Sequence, residues 1–408
     1  MKCRFCQTEL QAELVDLGFS PPSNAYLSLL ELSKPELYYP LRVKVCQACW
    51  LVQTEDYAAY DTLFDDQYAY MSSTSQSWVA HAKAYVDKII PLAELDTNSF
   101  VVEVASNDGY LLQHFQAKNI PSLGVEPTKS TAEKAIKKGI SVVGEFFSIE
   151  LAQRLVDDYA KADVIVANNV IAHVPDINDF VFGLGVLLKS TGMITLEFPH
   201  LLNLIEKRQF DTIYHEHFSY FSLSVIRTIA EKHGLRVWDV EKLPTHGGSL
   251  RVYLCHDKFS KKPDGRVKKV IDEERCFGLL EIGIYKEFQK KIDNIKNSTL
   301  LFLLDEKLKD KRIVAYGAAA KGNTFLNYAG VKTDLIEFVC DAAESKQNKF
   351  LPGSHIPIVS PDVLKTEKVD WVIVLPWNLI DEIKSNLRCV SEMGGRFVTM
   401  IPELKIYE

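Results

Sequence analysis

The sequence has no apolar run of about 18 residues, the length needed to cross a bilayer, so it predicts no membrane span. Its opening, MKCRFCQTEL, has no apolar signal core, which predicts a cytoplasmic chain. Basic charge is not in excess: 47 Lys and Arg stand against 54 Asp and Glu, a net charge of −7. Nucleic-acid binding through bulk charge needs clustered Lys and Arg, and is excluded. Short repeats and low-complexity tracts are absent as well. A hydrophobic share of 47% and a charged share of 25% rule out disordered, collagen-like or coiled-coil chains. At roughly 150 residues per domain, 408 residues give two or three domains and ample material for large cores.

The eight cysteines are placed unevenly. Cys3, Cys6, Cys46 and Cys49 form two C-x-x-C pairs near the start, and the other four are scattered singly. Each pair makes a tight knuckle that aims two sulfurs at one point. Two knuckles suit a tetrahedral metal with four thiolate ligands, the usual arrangement of closed, structural zinc. The gap between them is long and implies an inserted loop. A redox pair or disulfides are the alternatives, but a cytosolic chain disfavours stable disulfides and a thioredoxin-like motif needs only one pair.

Residues 1–70, with Pro21, Pro22 and Pro35, read as irregular and turn-rich. A helical period then runs through Trp78, Ala82, Tyr85, Val86, Ile89 and Ile90, and Pro91 is expected to end it. Short apolar runs next alternate with helical patterns: SFVVEVA, SLGV, DVIVA and MITLEF. Such alternation predicts a parallel sheet with right-handed crossovers. Residues 260–310 read as one or two long helices. A second alternating block follows, with RIVAY, LIEFVC, WVIVL and the run from Arg396 to Ile401. The fold class is therefore α/β, with units at 1–74, 75–259 and 260–408.

The first α/β unit carries a ligand-type turn. Glu103 lies on its first strand, and Ser106, Asn107, Asp108 and Gly109 follow before a helix. Backbone N–H groups at such a turn face a ligand outside the carboxyl ends of the strands. The next strand ends in Glu126 and Pro127, and an acidic group there can accept hydrogen bonds from two ribose hydroxyls. The G-x-G-x-x-G phosphate fingerprint is missing. A ligand with a ribose but no pyrophosphate fits, which favours S-adenosylmethionine over NAD. Glu145, Phe146 and Phe147, in GEFFS, stand where an adenine could be flanked. Asn168 and Asn169 end the third strand on the same rim, and His173 follows.

Residues 211–222, DTIYHEHFSYFS, crowd titratable and aromatic groups together. An extended strand would part Tyr214 and Glu216 from His215 and His217, whereas a helical turn would put Tyr214 and His217 on one face. Both remain open from sequence. His and Glu can serve as base and orienter, and Tyr can donate to an oxyanion. A metal bound by His-Glu-His is the rival reading, although the i, i+4 spacing of H-E-x-x-H is absent. In the second unit, VAYGAAAKGN places Gly317 and Gly322 as the outer glycines of a dinucleotide fingerprint, with Asp341 after the next strand. It supports an NAD-dependent oxidoreductase or epimerase as an alternative, although Lys321 and Asn323 point to phosphate or substrate contact. A turn whose glycines merely allow tight packing is the third possibility.

Taken in order, the C-x-x-C pairs, VEVASNDGYLL, NNVIAHV, YHEHFSYFS, HGGSLR and GAAAKGN resemble the zinc-containing sugar C-methyltransferases over nearly the whole chain. The resemblance implies an N-terminal zinc-binding module, a class I methyltransferase Rossmann-like domain and a C-terminal Rossmann-like domain. It implies S-adenosylmethionine as methyl donor and a nucleotide-linked 4-keto-6-deoxy sugar, for instance dTDP-linked, as acceptor, methylated at carbon 3. It implies His217 as base, with Tyr214, Glu216, His173 and Tyr68 (in DDQYAYMSS) around the reacting sugar. Lys321, Asn323, Gly317 and His246 would hold the nucleotide sugar. A monomer is expected. Methyl transfer to a sugar oxygen or nitrogen, and a non-enzymatic zinc scaffold, are further alternatives.

Overall fold

The computed structural model describes residues 1–57, 71–259 and 262–407. Residues 1–57 are more regular than their composition suggests. They form β1 (Ala12–Ser20), β2 (Tyr39–Val45) and β3 (Val52–Thr54), paired antiparallel. In β2, Leu41, Val43 and Val45 are buried and the residues between them are half-buried, the period of two that a one-faced sheet requires. Two register shifts in β1, between Glu13 and Val15 and between Asp16 and Phe19, break that period and hide the strand in the sequence.

The middle unit is built from β4 (Val101–Val104), β5 (Ser122–Val125), β6 (Val142–Val143), β7 (Ala162–Asn168) and β8 (Leu188–Pro199). The segment Ser219–Tyr220 (β9) leaves this unit and pairs with β3, so the first sheet runs β1-β2-β3-β9. Two further strands, β10 (Leu235–Leu243) and β11 (Ser249–His256), complete a seven-stranded sheet of order β10-β11-β8-β7-β4-β5-β6. The strands β4 to β8 are parallel, but β10 and β11 form an antiparallel hairpin whose β11 pairs antiparallel with β8. An all-parallel sheet is thus corrected: His246, Gly247 and Gly248 all take positive φ and turn the chain too tightly for a helical crossover. The helix Gln76–Leu92, capped by the Ser75 hydroxyl, also runs through Pro91, which sits in its last turn rather than ending it.

Three helices, Gly265–Phe277, Ile282–Lys286 and Phe288–Leu308, replace the one or two expected for 260–310. Gly278, left-handed at φ +92°, stops the first. The last unit holds β12 (Ile313–Tyr316), β13 (Val339–Cys340), β14 (Ile358–Val359), β15 (Trp371–Val374), β16 (Arg396–Thr399) and β17 (Lys405–Tyr407). Its order is β14-β13-β12-β15-β16-β17, parallel except for β17.

The cores run across these units. Cys3, Phe5, Cys46 and Leu51 belong to one apolar cluster with Leu223, Leu196 and Phe198 of the middle unit. Val15, Leu41 and Val43 belong to another with Phe288, Ile292, Ile313 and Phe325. The N-terminal sheet is therefore wedged between the other two units. No helix among the described residues is long and apolar enough to cross a membrane.

Candidate functional site

The two knuckles are built alike. Gln7 and Trp50, each just after the second cysteine of a pair, take φ +64°. Each donates its N–H to the carbonyl of the first cysteine, at 3.0 and 2.7 Å. All four Sγ atoms lie within 4.8 Å of one another. The separations across the knuckles, 3.6 Å for Cys3–Cys49 and 3.5 Å for Cys6–Cys46, fit the roughly 3.8 Å edge of a tetrahedron with 2.3 Å zinc–sulfur bonds. Four thiolates fill that shell and leave no open position. The side-chain amide of Gln53 donates to Cys3 Sγ at 3.3 Å.

At the first glycine turn the backbone takes three left-handed steps: Ala105 at φ +54°, Asn107 at +51° and Gly109 at +77°. Glu126 is fixed by its own chain. One carboxylate oxygen accepts the Asn107 N–H and the other the Thr128 N–H, both at 2.9 Å. Each oxygen keeps a second lone pair for a hydroxyl, and Pro127 starts the loop between them. Four buried oxygens around this turn have no partner: Glu103 Oε2, Ser106 Oγ, Asn168 Oδ1 and Asn169 Oδ1. Burial, with Glu126 and Asp108 nearby, holds the Glu103 carboxyl well above the usual carboxylate range. Orphaned polar atoms cost free energy unless a ligand meets them. A donor with an amino acid end and a ribose fits this set. Phe147 packs edge-on against Phe180 at 5.5 Å, against the core. Phe146 is half-exposed, and Glu145 pairs with Arg154 at 2.6 Å on the surface.

The 211–222 run is a turn, not a strand, up to Phe218. The His217 N–H donates to the Tyr214 carbonyl at 2.9 Å, and the two rings lie 4.0 Å apart, tilted by 32°. His217 Nδ1 donates to the Thr212 carbonyl at 2.8 Å, so its Nε2 carries the lone pair in the neutral ring and accepts the Tyr214 hydroxyl at 2.8 Å. His173, at the end of the short turn after β7, donates from Nδ1 to the Glu216 carbonyl at 2.7 Å, and its ring lies 4.6 Å from that of His217. Desolvation, then His173, keeps His217 well below the usual imidazole value; His173 itself is pushed down to about 4, chiefly by desolvation. The Glu216 carboxyl is raised by burial. One oxygen accepts from Asn24 Nδ2 at 3.1 Å and the other is unpartnered.

His215 faces away. Its Nε2 meets the Pro40 carbonyl at 3.3 Å and its ring stands edge-on to Tyr39. The three side chains of H-E-H therefore do not converge, which corrects the metal reading. The four cysteines are the one metal-type cluster among the described residues. Tyr68 lies outside the described residues.

Helix Ala320–Ala329 brings the second unit to this cluster. Asn323 Nδ2 donates to the Ser23 carbonyl at 2.6 Å and the Thr324 hydroxyl to the Ile213 carbonyl at 2.8 Å. Lys321 Nζ sits 5.1 Å over the Trp377 ring, and the Trp377 indole donates to Asp211 Oδ2 at 2.8 Å. Asp211, pushed up to about 6 by burial, keeps Oδ1 unpartnered. His246, pushed down to about 4 by desolvation, stands edge-on to Trp78 at 5.3 Å.

The Cα face of Gly317 is closed by its own chain. A Cβ there would fall 2.3 Å from Pro376 Cδ, and one on Gly322 would fall 2.7 Å from Leu375 Cδ1. Tyr26 and Lys346 both donate to the Ala318 carbonyl, at 2.6 and 2.8 Å. The Asp341 carboxylate accepts the Ala343 N–H at 2.8 Å. The glycine faces of this turn are thus taken up by its own chain, as the packing alternative expects, while Asn323 Oδ1 on the helix that follows is buried and unpartnered.

Sequence reasoning missed Asp211 with Trp377, and it missed Glu197. Glu197 is fully buried, salt-bridged to Arg251 at 2.6 Å and hydrogen-bonded to His81 at 3.0 Å. The rule that picked out Asn168, a polar residue at a strand's carboxyl end, applies equally to Glu197 near the end of β8.

Three family models match the chain in sequence. "Putative zinc binding domain" covers residues 3–64, "Methyltransferase domain" residues 77–240, and "C-methyltransferase C-terminal domain" residues 244–402. C-methyltransferase NovU of Streptomyces niveus is 33% identical over 405 residues, 99% of this chain and 96% of that one. Part of the chain is also similar to magnesium protoporphyrin IX methyltransferase of Synechocystis PCC 6803, at 16% identity and TM-score 0.37, over 50% of this chain and 100% of that one. An S-adenosylmethionine-dependent methyltransferase of Anabaena variabilis gives 16% and 0.38, over 49% and 96%. With its four-cysteine module, its methyltransferase unit and its matched C-terminal unit in one chain, the protein belongs to the zinc-containing, S-adenosylmethionine-dependent C-methyltransferases.

Proposed function

We propose that the protein methylates carbon 3 of a nucleotide-linked 4-keto-6-deoxy sugar through an enolate, with His217 as the base. One observation carries this reading: the Thr212–His217–Tyr214 chain of hydrogen bonds, which presents a neutral imidazole with its lone pair on Nε2 beside a phenol. A carbonyl at carbon 4 acidifies the carbon 3 proton, yet water at neutral pH does not remove it. As the Tyr214 hydroxyl turns from Nε2 to the carbonyl oxygen, the freed lone pair of His217 takes the carbon 3 proton. The C–H pair becomes the π bond between carbons 3 and 4, the carbonyl π pair moves onto oxygen, and Tyr214 donates to that oxygen. Burial makes an isolated imidazolium costly, and the enolate formed beside it offsets that cost.

S-adenosylmethionine supplies an electrophilic methyl group on a sulfonium. Glu126 would accept its ribose hydroxyls, while Glu103, Ser106, Asn107, Gly109, Pro127, Asn168 and Asn169 would line the turn that holds it, with Glu145 and Phe146 at the outer rim. Lys321, Asn323 and His246 would face the nucleotide sugar, with Gly317 shaping the turn that leads to them and Glu216 and His173 between.

Incubation of the keto sugar with enzyme in deuterium oxide, without methyl donor, tests this. Deuterium is expected at carbon 3, and none with His217→Asn. Label at carbon 5, which flanks the same carbonyl, would move the reaction there. Full methylation with no exchange at either carbon would sink the enolate and favour an oxygen or nitrogen acceptor.

A further inference from the structure

The first zinc knuckle reaches the base-bearing turn directly. Arg4 lies between Cys3 and Cys6, and its side chain is 5% exposed. Its N–H donates to Gln53 Oε1 at 2.9 Å, and the other end of that amide donates to Cys3 Sγ. Its Nε donates to the Phe218 carbonyl at 3.3 Å, its Nη2 to the Thr54 carbonyl at 2.9 Å, and its guanidinium lies 4.9 Å over the Phe218 ring. Asp56 completes the shell as an ion pair. Thr54, on the next strand, shares the Phe218 carbonyl with Arg4 and adds that of His217. The Thr54 hydroxyl donates to the His217 carbonyl at 3.0 Å and the Thr54 N–H to the Phe218 carbonyl at 3.1 Å. β3 then continues into β9 pairing, with Gln53 opposite Ser219 and Val52 opposite Tyr220.

The carbonyls on both sides of the His217–Phe218 link are thus gripped by residues of the metal module. The ring of His217 is held from the other side by Thr212 and Tyr214. A ring fixed at both ends has little freedom to drift.

We propose that Arg4 and Thr54 are positioning residues for His217, and that the zinc module sets the place of the base rather than only stabilising the fold. The inference rests on His217 as the base. A shift of about 1 Å in a reacting group can cost roughly 100-fold in rate, so the effect belongs in kcat.

The test uses the full-length, zinc-loaded protein as Arg4→Met, which keeps an apolar stem over Phe218, as isosteric Thr54→Val and as Arg4→Lys. The readouts are zinc content, S-adenosylmethionine affinity by calorimetry, kcat and KM for the keto sugar, and the ¹⁵N imidazole resonances of His217 in histidine-labelled enzyme. Arg4→Met and Thr54→Val are expected to keep one zinc per chain, and donor Kd and sugar KM within about twofold. Their kcat should fall about 10- to 100-fold and the His217 resonances should shift. Arg4→Lys, which restores one donor, should recover part of the loss. A kcat within twofold of wild type in both variants, or zinc, donor affinity and kcat falling together, would overturn the proposal. If His217→Asn itself retains turnover, the base reading has failed instead, and an unshifted His217 resonance in Arg4→Met then overturns the grip on its own.

Discussion

The molecule contains two strand–glycine–helix turns that look alike in sequence and are packed differently. At Ser106–Gly109 the surrounding polar groups are left unmatched: four buried oxygens have no partner, and Glu126 is pinned by two backbone N–H groups with lone pairs to spare. At Gly317–Gly322 the same glycine spacing that suggests a dinucleotide is filled by Pro376 and Leu375, and the loop carbonyl is taken by Tyr26 and Lys346. A glycine in such a turn permits close approach, and whether a ligand or the chain itself approaches is decided by residues far away in sequence. The packing of the glycines separates the two cases, but buried polar atoms are left open at both, Asn323 Oδ1 being the one at the second.

The sharpest way to break this contrast is to give the second turn a side chain. Gly317→Ala places a Cβ at φ +94° against Pro376, so left-handed strain and overpacking should together cost about 2–5 kcal/mol of stability. Denaturant unfolding would read the loss, with S-adenosylmethionine affinity unchanged. Weaker donor binding in a folded variant would mean that the second turn serves the donor after all. At the first turn, Glu126→Gln keeps the shape but removes the charge. Donor affinity should fall by about 1–3 kcal/mol, roughly 5- to 150-fold in Kd, while millimolar NADH should leave the melting temperature of the wild type in place. Saturable NADH binding would restore the oxidoreductase reading. The smallest expected effect is on pH dependence. Desolvation keeps His217 neutral at pH 6.5, so kcat/KM should change by less than about twofold from pH 6.5 to 8. It should drop only as the pH falls through a value well below 6.5, where the folded-state imidazole gains its proton. A midpoint near 6.5 or above would place the ring in water.

Local chemistry was legible from the sequence; long-range closure was not. The cysteine knuckles, the Glu103–Gly109 turn and the crowding in DTIYHEHFSYFS depend on neighbours a few residues apart, and each was readable as a candidate. The choice between strand and turn at Tyr214–His217 was not: the carbonyls of His217 and Phe218 are held by Thr54 and Arg4, far away in sequence. Strand β1 escaped because its two register shifts interrupt alternation. The antiparallel hairpin of β10 and β11 escaped because its turn relies on a histidine, His246, at φ +51° beside two glycines. Asp211 gave no signal of its own: its partner Trp377 comes from the last unit.

The pairing of β3 with β9 constrains how relatives can be recombined. The seam joins residues near position 53 to residues near 219, so a chimera cut anywhere between them would marry two edges selected in different parents. The transferable piece of this protein is a spatial one, in which the opening segment and the 211–222 run travel together.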